Sequence, residues 1–338
     1  MNIILTCAGR RNYIVKYFQE VLNDRGMVFA CDVSTEAAAL QEADKSFVLP
    51  SVDSEDYIDK LLYLCKNNDI RLLISLHDLE LPILALQRDR FAEVGTILAV
   101  SSPEVINICF DKWETFKFLT SHNIPTAKTY LSLSEAQQAI ATGELKYPVV
   151  VKPRWGTASI GIHYPGDDEE LELAYRYVNK LLTKTFLSNI SASEPDKCVI
   201  IQEKLIGQEY GLDIVNDLQG SYQSTLVKRK LKMRAGETDR ATTVFSKKLE
   251  ELGQNIGQKL GHIANLDCDV MMNDSGYAVL EMNPRFGGGY PFSHYAGANL
   301  PAALIAWSNK EKINREWLNV QHNIASSKCD RLVGVEFK

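Results

Sequence analysis

The sequence lacks grouped cysteines and grouped histidines. Its 7 cysteines are an odd number with no C-x-x-C pair, and its 6 histidines include no H-E-x-x-H or H-x-H group. Disulfide frameworks use an even number of cysteines, and zinc sites use cysteines or histidines at short spacings. The scatter therefore predicts free thiols in a reducing cytoplasm, and no zinc site.

Long apolar runs and an excess of basic residues are also missing. No stretch reaches 18 consecutive apolar residues, and the apolar run near Met1 is short and has no basic flank. The sequence therefore predicts no membrane span and no signal peptide. A net charge of −6 gives no general signal for nucleic acid, so we expect neither nucleic acid nor a membrane as a partner.

What is present is a globular composition over 338 residues, a length that favours two or three packed units. Residues 1–110 alternate strand-like and helix-like segments, which predicts a small parallel sheet covered by helices. The remainder mixes helices with antiparallel strands, so the expected fold class is α/β and α+β. Expected strands are 3–7, 27–31, 72–76, 97–100, 149–151, 198–201, 210–215, 222–227 and 270–272. Expected helices are 13–25, 56–67, 111–122, 134–141, 167–178 and 246–265, with 183–197 as a loop.

Polar residues follow several strands of the predicted parallel sheet. In such sheets, the loops at the carboxyl ends of strands carry ligands. No G-x-G-x-x-G follows the first strand, so a dinucleotide fingerprint is absent. A small-molecule site and an ordinary structural domain with polar loop ends both stay open. The residues concerned are Gly9, Arg10, Arg11, Asp32, His77, Asp78 and Glu80.

The stretch "VVVKPRWGTASIG", residues 149–161, places Lys152 at the end of an apolar strand. Small and hydroxyl residues follow in the loop: Gly156, Thr157, Ser159 and Gly161. Backbone N–H groups in such a loop can approach anionic oxygens, and lysine adds a point charge. The pattern is typical of a phosphate site, although a glycine-containing turn with an extended lysine is the alternative. It is not a Walker loop.

In "VIIQEKLIGQEYGLDI", residues 199–214, another apolar strand ends in polar residues. Gln202, Glu203, Lys204 and Leu205 would expose acceptors and backbone groups at a sheet edge, where they could bind adenine. Glu209, a few residues on, could accept hydrogen bonds from ribose hydroxyls. A solvated strand end is the plainer interpretation of the same pattern.

The most informative stretch is "VLEMNPRFGGGYP", residues 279–291. Glu281, Asn283 and Arg285 alternate, so in an extended strand they share one face. A hairpin turn at residues 273–276 would bring Asp269 beside Glu281. Two carboxylates and an amide are hard oxygen ligands that suit Mg²⁺. Arg285 is placed to hold an anionic acceptor by a bidentate fork.

A basic stretch, "VKRKLKMRAGETDR" at residues 227–240, precedes the last predicted helix. As a polar loop beside the acceptor, it could use Arg234, and also Lys230, to bind an anionic substrate or the transferring phosphoryl group. A solvated charged strand is the alternative. The glycines at 287–289 could let backbone amides contact a substrate carboxylate.

Taken in order, Lys112 and the three stretches around Lys152, Glu203 and Glu281 resemble the ATP-grasp superfamily. The similarity is greatest to the ATP-binding modules of the carbamoyl phosphate synthase large subunit, and it runs from about residue 1 to 305. The chain has room for one module and no glutaminase segment, so it looks like a single-module carboxylate–amine ligase. The resemblance implies a Rossmann-like pre-ATP-grasp domain at 1–110, a small or lid subdomain at 111–205, a C-terminal subdomain at 206–310, and a tail at 311–338.

The resemblance also implies roles for individual residues. Lys112 and Lys152 would contact the ATP phosphates and base, beneath a mobile loop at 156–161. Arg285 would hold the acyl phosphate or its carboxylate precursor. A homodimer is the family-level expectation. The remaining implied contacts are Glu203 and Leu205 with adenine, Glu209 with ribose, and Asp269, Glu281 and Asn283 with two Mg²⁺ ions, for which Mn²⁺ could substitute.

Three functions stay open at this point. A ligase would join a small-molecule carboxylate to an amine through an acyl phosphate, releasing ADP and phosphate. A phosphotransferase of the same fold would leave the phosphoryl group on an amide, carbamate or hydroxyl. A nucleotide-binding protein without turnover is disfavoured, because binding alone would not need the full set of metal ligands.

Overall fold

A computed structural model of the chain describes residues 1–156, 161–185, 188–192, 194–274 and 276–335. Two residues of the predicted phosphate loop, Thr157 and Ser159, lie outside the described residues. None of the described helices is long and apolar enough to cross a membrane.

The N-terminal region forms a five-stranded parallel sheet with strand order β3-β2-β1-β4-β5. Its strands are β1 Asn2–Thr6, β2 Val28–Asp32, β3 Lys45–Val48, β4 Ile70–Ser75 and β5 Ile97–Leu98. Its helices are α1 Asn12–Leu22, α2 Ala38–Glu42, α3 Tyr57–Asn67, α4 Leu81–Ala85, α5 Arg88–Glu93 and α6 Pro103–Phe110.

Helices cover this sheet on both faces. Ile3 and Leu5 pack with Phe18 of α1 on one side, whereas Ile4 packs with Leu61 of α3 on the other. Alternate side chains of a strand point to opposite faces, so a strand that is apolar throughout must be buried on both. The Rossmann-like α/β domain expected from the sequence is therefore confirmed.

A small antiparallel sheet with strand order β6-β8-β7 follows. Its elements are α7 Lys112–Ser121, β6 Thr129–Tyr130, α8 Leu133–Ala141, β7 Val149–Pro153, α9 Asp168–Leu182, α10 Ser188–Ser191, a 3-10 helix Pro195–Lys197 and β8 Val199–Glu203. The apolar face of the sheet packs against α8 and α9. Lys152 and Glu203 thus lie on neighbouring strands, near the carboxyl end of each.

The largest sheet has six strands in the order β13-β12-β9-β10-β11-β14. Its elements are β9 Gln208–Asn216, β10 Tyr222–Arg234, β11 Glu237–Thr243, α11 Lys247–Leu260, β12 Ala264–Asn273, β13 Gly276–Asn283, α12 Tyr290–Tyr295, α13 Leu300–Ser308, a 3-10 helix Arg315–Leu318 and β14 Ala325–Ser327. Leu212, Leu266 and Cys268 pack on one face with Leu249 of α11. The period of two then directs the acids and lysines of these strands to the opposite face.

Four expectations about local structure were wrong. The basic stretch is not a loop, because β10 continues to Arg234 and pairs with β11 as a hairpin. The loop expected at 183–197 contains α10 and a 3-10 helix. Helix α11 ends at Leu260, since Gly261 takes a left-handed φ of +64° that stops the helix. The tail at 311–338 contributes β14, which pairs with β11.

Candidate active site

The predicted metal ligands lie on the hairpin of β12 and β13. Asp269 pairs directly with Glu281 across the two antiparallel strands, and Asp267 pairs with Asn283. Side chains of directly paired residues share a face about 5 Å apart. The approach of Asp269 to Glu281 that the sequence predicted is therefore confirmed, and Asp267 joins them.

Lys230 of β10 lies against these acids. Its Nζ is 2.7 Å from Asp269 Oδ1 and 2.6 Å from Glu209 Oε1. Burial disfavours the ammonium form, but the charges of Asp269 and Glu209 outweigh burial and raise the pKa of Lys230. Glu209, predicted to bind ribose, and Asp269, predicted to bind metal, thus both contact the ammonium group of Lys230.

Arg285 is held between two carboxylates from different parts of the chain. Its Nη2 is 3.0 Å from Asp78 Oδ2 in the N-terminal domain, and its Nη1 is 3.0 Å from Asp267 Oδ2 in β12. Only 9% of the side chain is exposed. Burial alone would lower the pKa of Arg285, but Asp78 and Asp267 raise it. Its buried Nε and Asp78 Oδ1 have no hydrogen-bond partner among the described residues.

The turn after Arg285 requires glycine because other side chains pack closely against its backbone. A Cβ on Gly287 would lie 2.0 Å from Asp267 Cγ, and one on Gly289 would lie 2.6 Å from Lys228 Cε. Real Cβ atoms do not approach other atoms so closely, so the turn can cross buried charged side chains only as glycine. The predicted contact of these amides with a substrate carboxylate stays a prediction.

Beneath this turn lies a buried charge network. Lys228 Nζ is 2.5 Å from Asp213 Oδ2, and both side chains have no exposed surface. Ser293 of α12 and Asn265 of β12 also donate to the Asp213 carboxylate. A buried ion pair survives only when its remaining polar atoms are satisfied. Asp213 meets that condition and fixes α12 to the sheet.

The two predicted phosphate lysines lie on the opposite side of the site. Lys112 Nζ donates to the carbonyl of Gly156 at 2.7 Å. Burial and the positive charge of Lys112 lower the pKa of Lys152 to about 8, and Glu281 acts in the opposite direction. Lys112, Gly156, Glu281 and Asn283 line one small pocket together with Asp78. Residues predicted separately for phosphates and for metal are thus brought together.

The predicted adenine edge is only partly as expected. The Gln202 amide donates to Thr129 Oγ1 at 2.9 Å and the side chain is buried, so its amide nitrogen is already engaged by a neighbouring strand. Lys204 lies over the Tyr164 ring at 4.8 Å. No described residue hydrogen-bonds the main chain of Leu205. Glu203 and Leu205 therefore stay candidates, whereas the Gln202 side chain does not.

A large cleft of about 1360 Å³ opens beside the pocket. Its walls come from the loop after β1, the β10–β11 hairpin, the strands that carry the metal candidates, and residues 325–333. Lys328 Nζ is 2.8 Å from Glu237, and Arg331 reaches Glu42 of α2 at 2.6 Å. Part of the segment 311–338, to which the sequence assigned no role beyond a tail, therefore closes one wall, between the hairpin and the N-terminal domain.

Arg234 lies at the rim of this cleft. Its guanidinium is 2.6 Å from Asp330 and 3.1 Å from Asp239, and 49% of the side chain is exposed. Arg10 and Arg11 line the same cleft, and Arg11 donates to the carbonyl of Phe286. The structure thus separates Arg234, which is paired at the rim, from Arg285, which is buried at the centre.

Sequence reasoning missed two acids. Asp267 could have been found, because the alternation in "LDCD" places it on the same face as Asp269. Asp78 was recognised only as one of several polar loop residues. Nothing local indicates its partner, since Arg285 is 207 residues away in the chain.

Comparison with known proteins agrees with this architecture. The family described as "PylC-like, N-terminal domain" matches residues 3–99, and the ATP-grasp domain family matches residues 109–289. A D-alanine–D-alanine ligase of Lacticaseibacillus casei (strain BL23) is 24% identical over 278 residues, which cover 75% of this chain and 69% of the relative.

Solved structures match over nearly the whole chain. The biotin carboxylase domain of Hydrogenobacter thermophilus 2-oxoglutarate carboxylase, solved with MgADP and bicarbonate, has a TM-score of 0.74 at 14% identity and covers 96% of this chain and 73% of that one. An L-amino acid ligase from Bacillus licheniformis has a TM-score of 0.71 at 15% identity, with 98% and 81% covered. At such identities the likeness concerns the fold alone.

Proposed function

The chain belongs to the ATP-grasp family, and we propose that it is an ATP-dependent carboxylate–amine ligase whose active site is the pocket between Lys112 and Glu281. One observation carries this assignment: Lys112, a lysine suited to phosphates, lines the same pocket as Glu281 and Asn283, whose oxygens suit Mg²⁺. Arg285, suited to an acyl phosphate, adjoins it through Asp78.

Lys112 and Lys152 bind the phosphates of ATP in this proposal. Both are half-buried, and neither forms an ion pair with a carboxylate of the described residues. Partly buried cations without paired acids favour an anionic ligand. Gly156, Thr157, Ser159 and Gly161 approach the phosphates, whereas Glu203, Lys204 and Leu205 bind the base and Glu209 the ribose.

The donor set also fits Mg²⁺. Asp269, Glu281 and Asn283 offer carboxylate and amide oxygens across one hairpin. Among the described residues, no three His, Cys, Asp or Glu side chains form a complete metal site. A magnesium ion that takes its other ligands from phosphates and water needs only one or two protein carboxylates. When bound, Mg²⁺ would neutralise charge on the phosphate oxygens. We propose that Asp269, Glu281 and Asn283 would hold two such ions, with Mn²⁺ able to substitute.

The chemistry needs no protein nucleophile. A carboxylate oxygen of the substrate takes the γ-phosphoryl group of ATP, which gives an acyl phosphate and ADP. The amine nitrogen then bonds to the carbonyl carbon, the bond from that carbon to the phosphate oxygen breaks, and phosphate and a proton are released. Arg285 holds the anionic acyl group, and Arg234 at the rim binds the outer part of an anionic substrate. Positioning and fixed charge supply the rate in such transfers.

The substrates are a small-molecule carboxylate and a small-molecule amine. The wide cleft beside the pocket has room for both, and its wall carries both signs of charge, with Arg10 and Arg11 near Glu237 and Asp330. A homodimer, from the family resemblance, and a cytoplasmic location, which the seven free cysteines support, complete the proposal. Light scattering tests the dimer.

The decisive experiment measures Mg²⁺-dependent release of ADP and inorganic phosphate from ATP. Amino acids and other small acids and amines are supplied singly and in pairs, and a Glu281→Gln variant is the control. Joint release of ADP and phosphate that needs a pair supports the ligase and identifies the substrates. ADP without free phosphate would instead establish a phosphotransferase.

A further inference from the structure

Two like charges share the phosphate side of the active site. Lys112 and Lys152 are both half-buried, and the positive charge of Lys112 is second only to burial in lowering the pKa of Lys152. Buried cations repel each other more strongly than exposed ones, because the interior screens charge poorly. Some part of the fold must therefore hold together the two segments that carry these lysines, which meet where the Lys112 N–H donates to the Arg154 carbonyl.

A buried ion pair lies directly beside both lysines in the sequence. Arg154 Nε is 2.8 Å from Asp111 Oδ1, and Arg154 Nη2 is 2.7 Å from Asp111 Oδ2. The two side chains are only 6% and 5% exposed. Glu194 is a second acidic partner, with its Oε2 3.2 Å from Arg154 Nη1, and the guanidinium lies over the Trp155 ring. The two parallel hydrogen bonds fix both the distance and the angle between the partners.

The same pair connects the segments that carry the lysines. Asp111 is the N-cap of α7, where its carboxylate accepts from the backbone of Trp113 at 2.9 Å, and Lys112 is the first residue of that helix. Arg154 follows Lys152 by two residues, and its carbonyl accepts from the backbone N–H of Lys112 at 3.1 Å. The start of α7 and the end of β7 are therefore bound together at the point where each presents a lysine.

We propose that Asp111 and Arg154 are positioning residues that hold Lys112 and Lys152 at the separation needed to bind nucleotide phosphates. This inference rests on the proposed ATP site. Neither side chain touches the nucleotide, and both act through the lysines. A buried ion pair contributes little net stability compared with an apolar pair of the same size. What the pair adds is a fixed geometry between two cationic segments.

The test uses Asp111→Asn in the full-length protein. Asparagine caps a helix about as well as aspartate, so α7 keeps its start, whereas Arg154 loses its buried charged partner and keeps only Glu194. The probes are Mg–ADP, which reaches the lysines, and adenosine, which does not. We expect the dissociation constant of Mg–ADP to rise about tenfold or more and that of adenosine to change less than twofold. General damage to the small sheet would weaken both ligands equally, so the ratio of the two constants isolates the phosphate contacts.

Two further variants sharpen the result. Glu114→Gln removes a half-buried carboxylate from the same helix, where it pairs with Lys117 at 2.8 Å, and should leave both constants unchanged. Asp111→Asn combined with Arg154→Gln should weaken Mg–ADP no more than the worse single variant, because both changes break one interaction. Thermal unfolding establishes that each variant is folded.

The possible binding results distinguish the positioning role from the proposed function. If the wild type binds Mg–ADP and folded Asp111→Asn binds it within twofold as tightly, the positioning role is wrong and the proposed function is untouched. If Mg–ADP and adenosine weaken together, the pair is structural only. If the wild type binds no Mg–nucleotide, the proposed function fails and the positioning role fails with it.

Discussion

The two sheets that border the active site differ in how the cations facing it are paired. On or beside the six-stranded sheet, each of the described buried cations has a carboxylate partner: Lys228 has Asp213, Lys230 has Glu209 and Asp269, and Arg285 has Asp78 and Asp267. On the three-stranded side, Lys112 and Lys152 form no ion pair with a described residue, although Glu281 lies close enough to act on both. One side is internally compensated and the other carries excess positive charge.

The difference indicates which ligand each side suits. The uncompensated lysines match a polyphosphate, whose negative charges would relieve their mutual repulsion. The compensated sheet presents charges that are already paired and fixed in direction, which suits a surface that positions reacting groups. Substitutions on the two sides should therefore have different effects. Those at Lys112 or Lys152, the lysine side, should lower nucleotide affinity, and those on the six-stranded sheet, the sheet side, should lower turnover.

The largest effect is expected from Glu281→Gln, which removes charge where the two sides meet. Turnover should fall at least about 100-fold, since replacing even a residue that only supports a metal ligand costs 10- to 100-fold. The Mg²⁺ concentration needed for half-maximal turnover should also rise. The measurement is ADP release as a function of Mg²⁺, with Glu251→Gln on the exposed face of α11 as the matched control. Unchanged metal dependence would rule out the metal assignment.

Arg285→Ala should lower turnover without lowering nucleotide affinity, because Arg285 lies on the side of the six-stranded sheet. We expect ligation to fall about 100-fold, a size typical of losing one stabilising donor, and Mg–ADP affinity to stay within about threefold. Arg285→Lys keeps the charge without the bidentate fork and should recover only part of the activity. The assignment to the acyl group is wrong if nucleotide affinity falls as far as turnover.

Asp78→Asn and Asp267→Asn form a matched pair, because each carboxylate lies 3.0 Å from one Arg285 nitrogen. Each change leaves a buried guanidinium with one charged partner, and we expect turnover to fall about tenfold in both, as breaking a buried pair is costly. Steady-state kinetics and thermal unfolding measure the two effects separately. Unequal losses of turnover at equal stability would show that one acid does more than orient Arg285.

The lysine side should respond to pH. Burial and Lys112 lower the pKa of Lys152 to about 8, so the side chain is protonated below pH 8 and loses its charge above it. A bound phosphate favours the protonated form, so Mg–ADP affinity should fall by up to about tenfold per pH unit above pH 8. Titration calorimetry from pH 7 to 9.5 measures this. Lys152→Met should bind weakly and with a flatter profile, and equal slopes in both proteins would contradict the assignment.

The smallest effect is expected from Arg234→Ala. The side chain is half exposed and shared with Asp330 and Asp239, and exposed ion pairs contribute little. We expect the KM for the carboxylate to rise no more than about threefold, with turnover unchanged. A fall in turnover comparable to that of Arg285→Ala would mean that the rim arginine reaches the reacting atoms.

The sequence was sufficient where the chemistry is local. Asp269, Glu281 and Asn283 belong to one hairpin, and the period of a strand together with a short turn is enough to place them side by side. The same holds for Lys152 at the end of β7. Register within a single hairpin depends on neighbouring residues alone, so these expectations needed no knowledge of the rest of the fold.

The sequence was insufficient where distant segments meet. The pairing of Asp78 with Arg285 depends on how two domains pack, and no periodic pattern encodes that. The burial of Gln202 against Thr129 reverses a plausible reading of a polar strand end. The basic stretch was mistaken for a loop because charge usually indicates solvent, whereas here Lys228 and Lys230 are buried by acids from neighbouring strands.

The wall formed by residues 325–331 has a consequence for synthesis and folding. Arg331 meets Glu42 across 289 residues, and Asp330 meets Arg234 across 96. Contacts so distant in sequence form late, because a long loop must close before they contribute. On a ribosome, the two segments that this wall joins emerge long before the wall itself. A chain synthesised only as far as residue 324 would therefore have the two segments that border the cleft but not the wall that joins them.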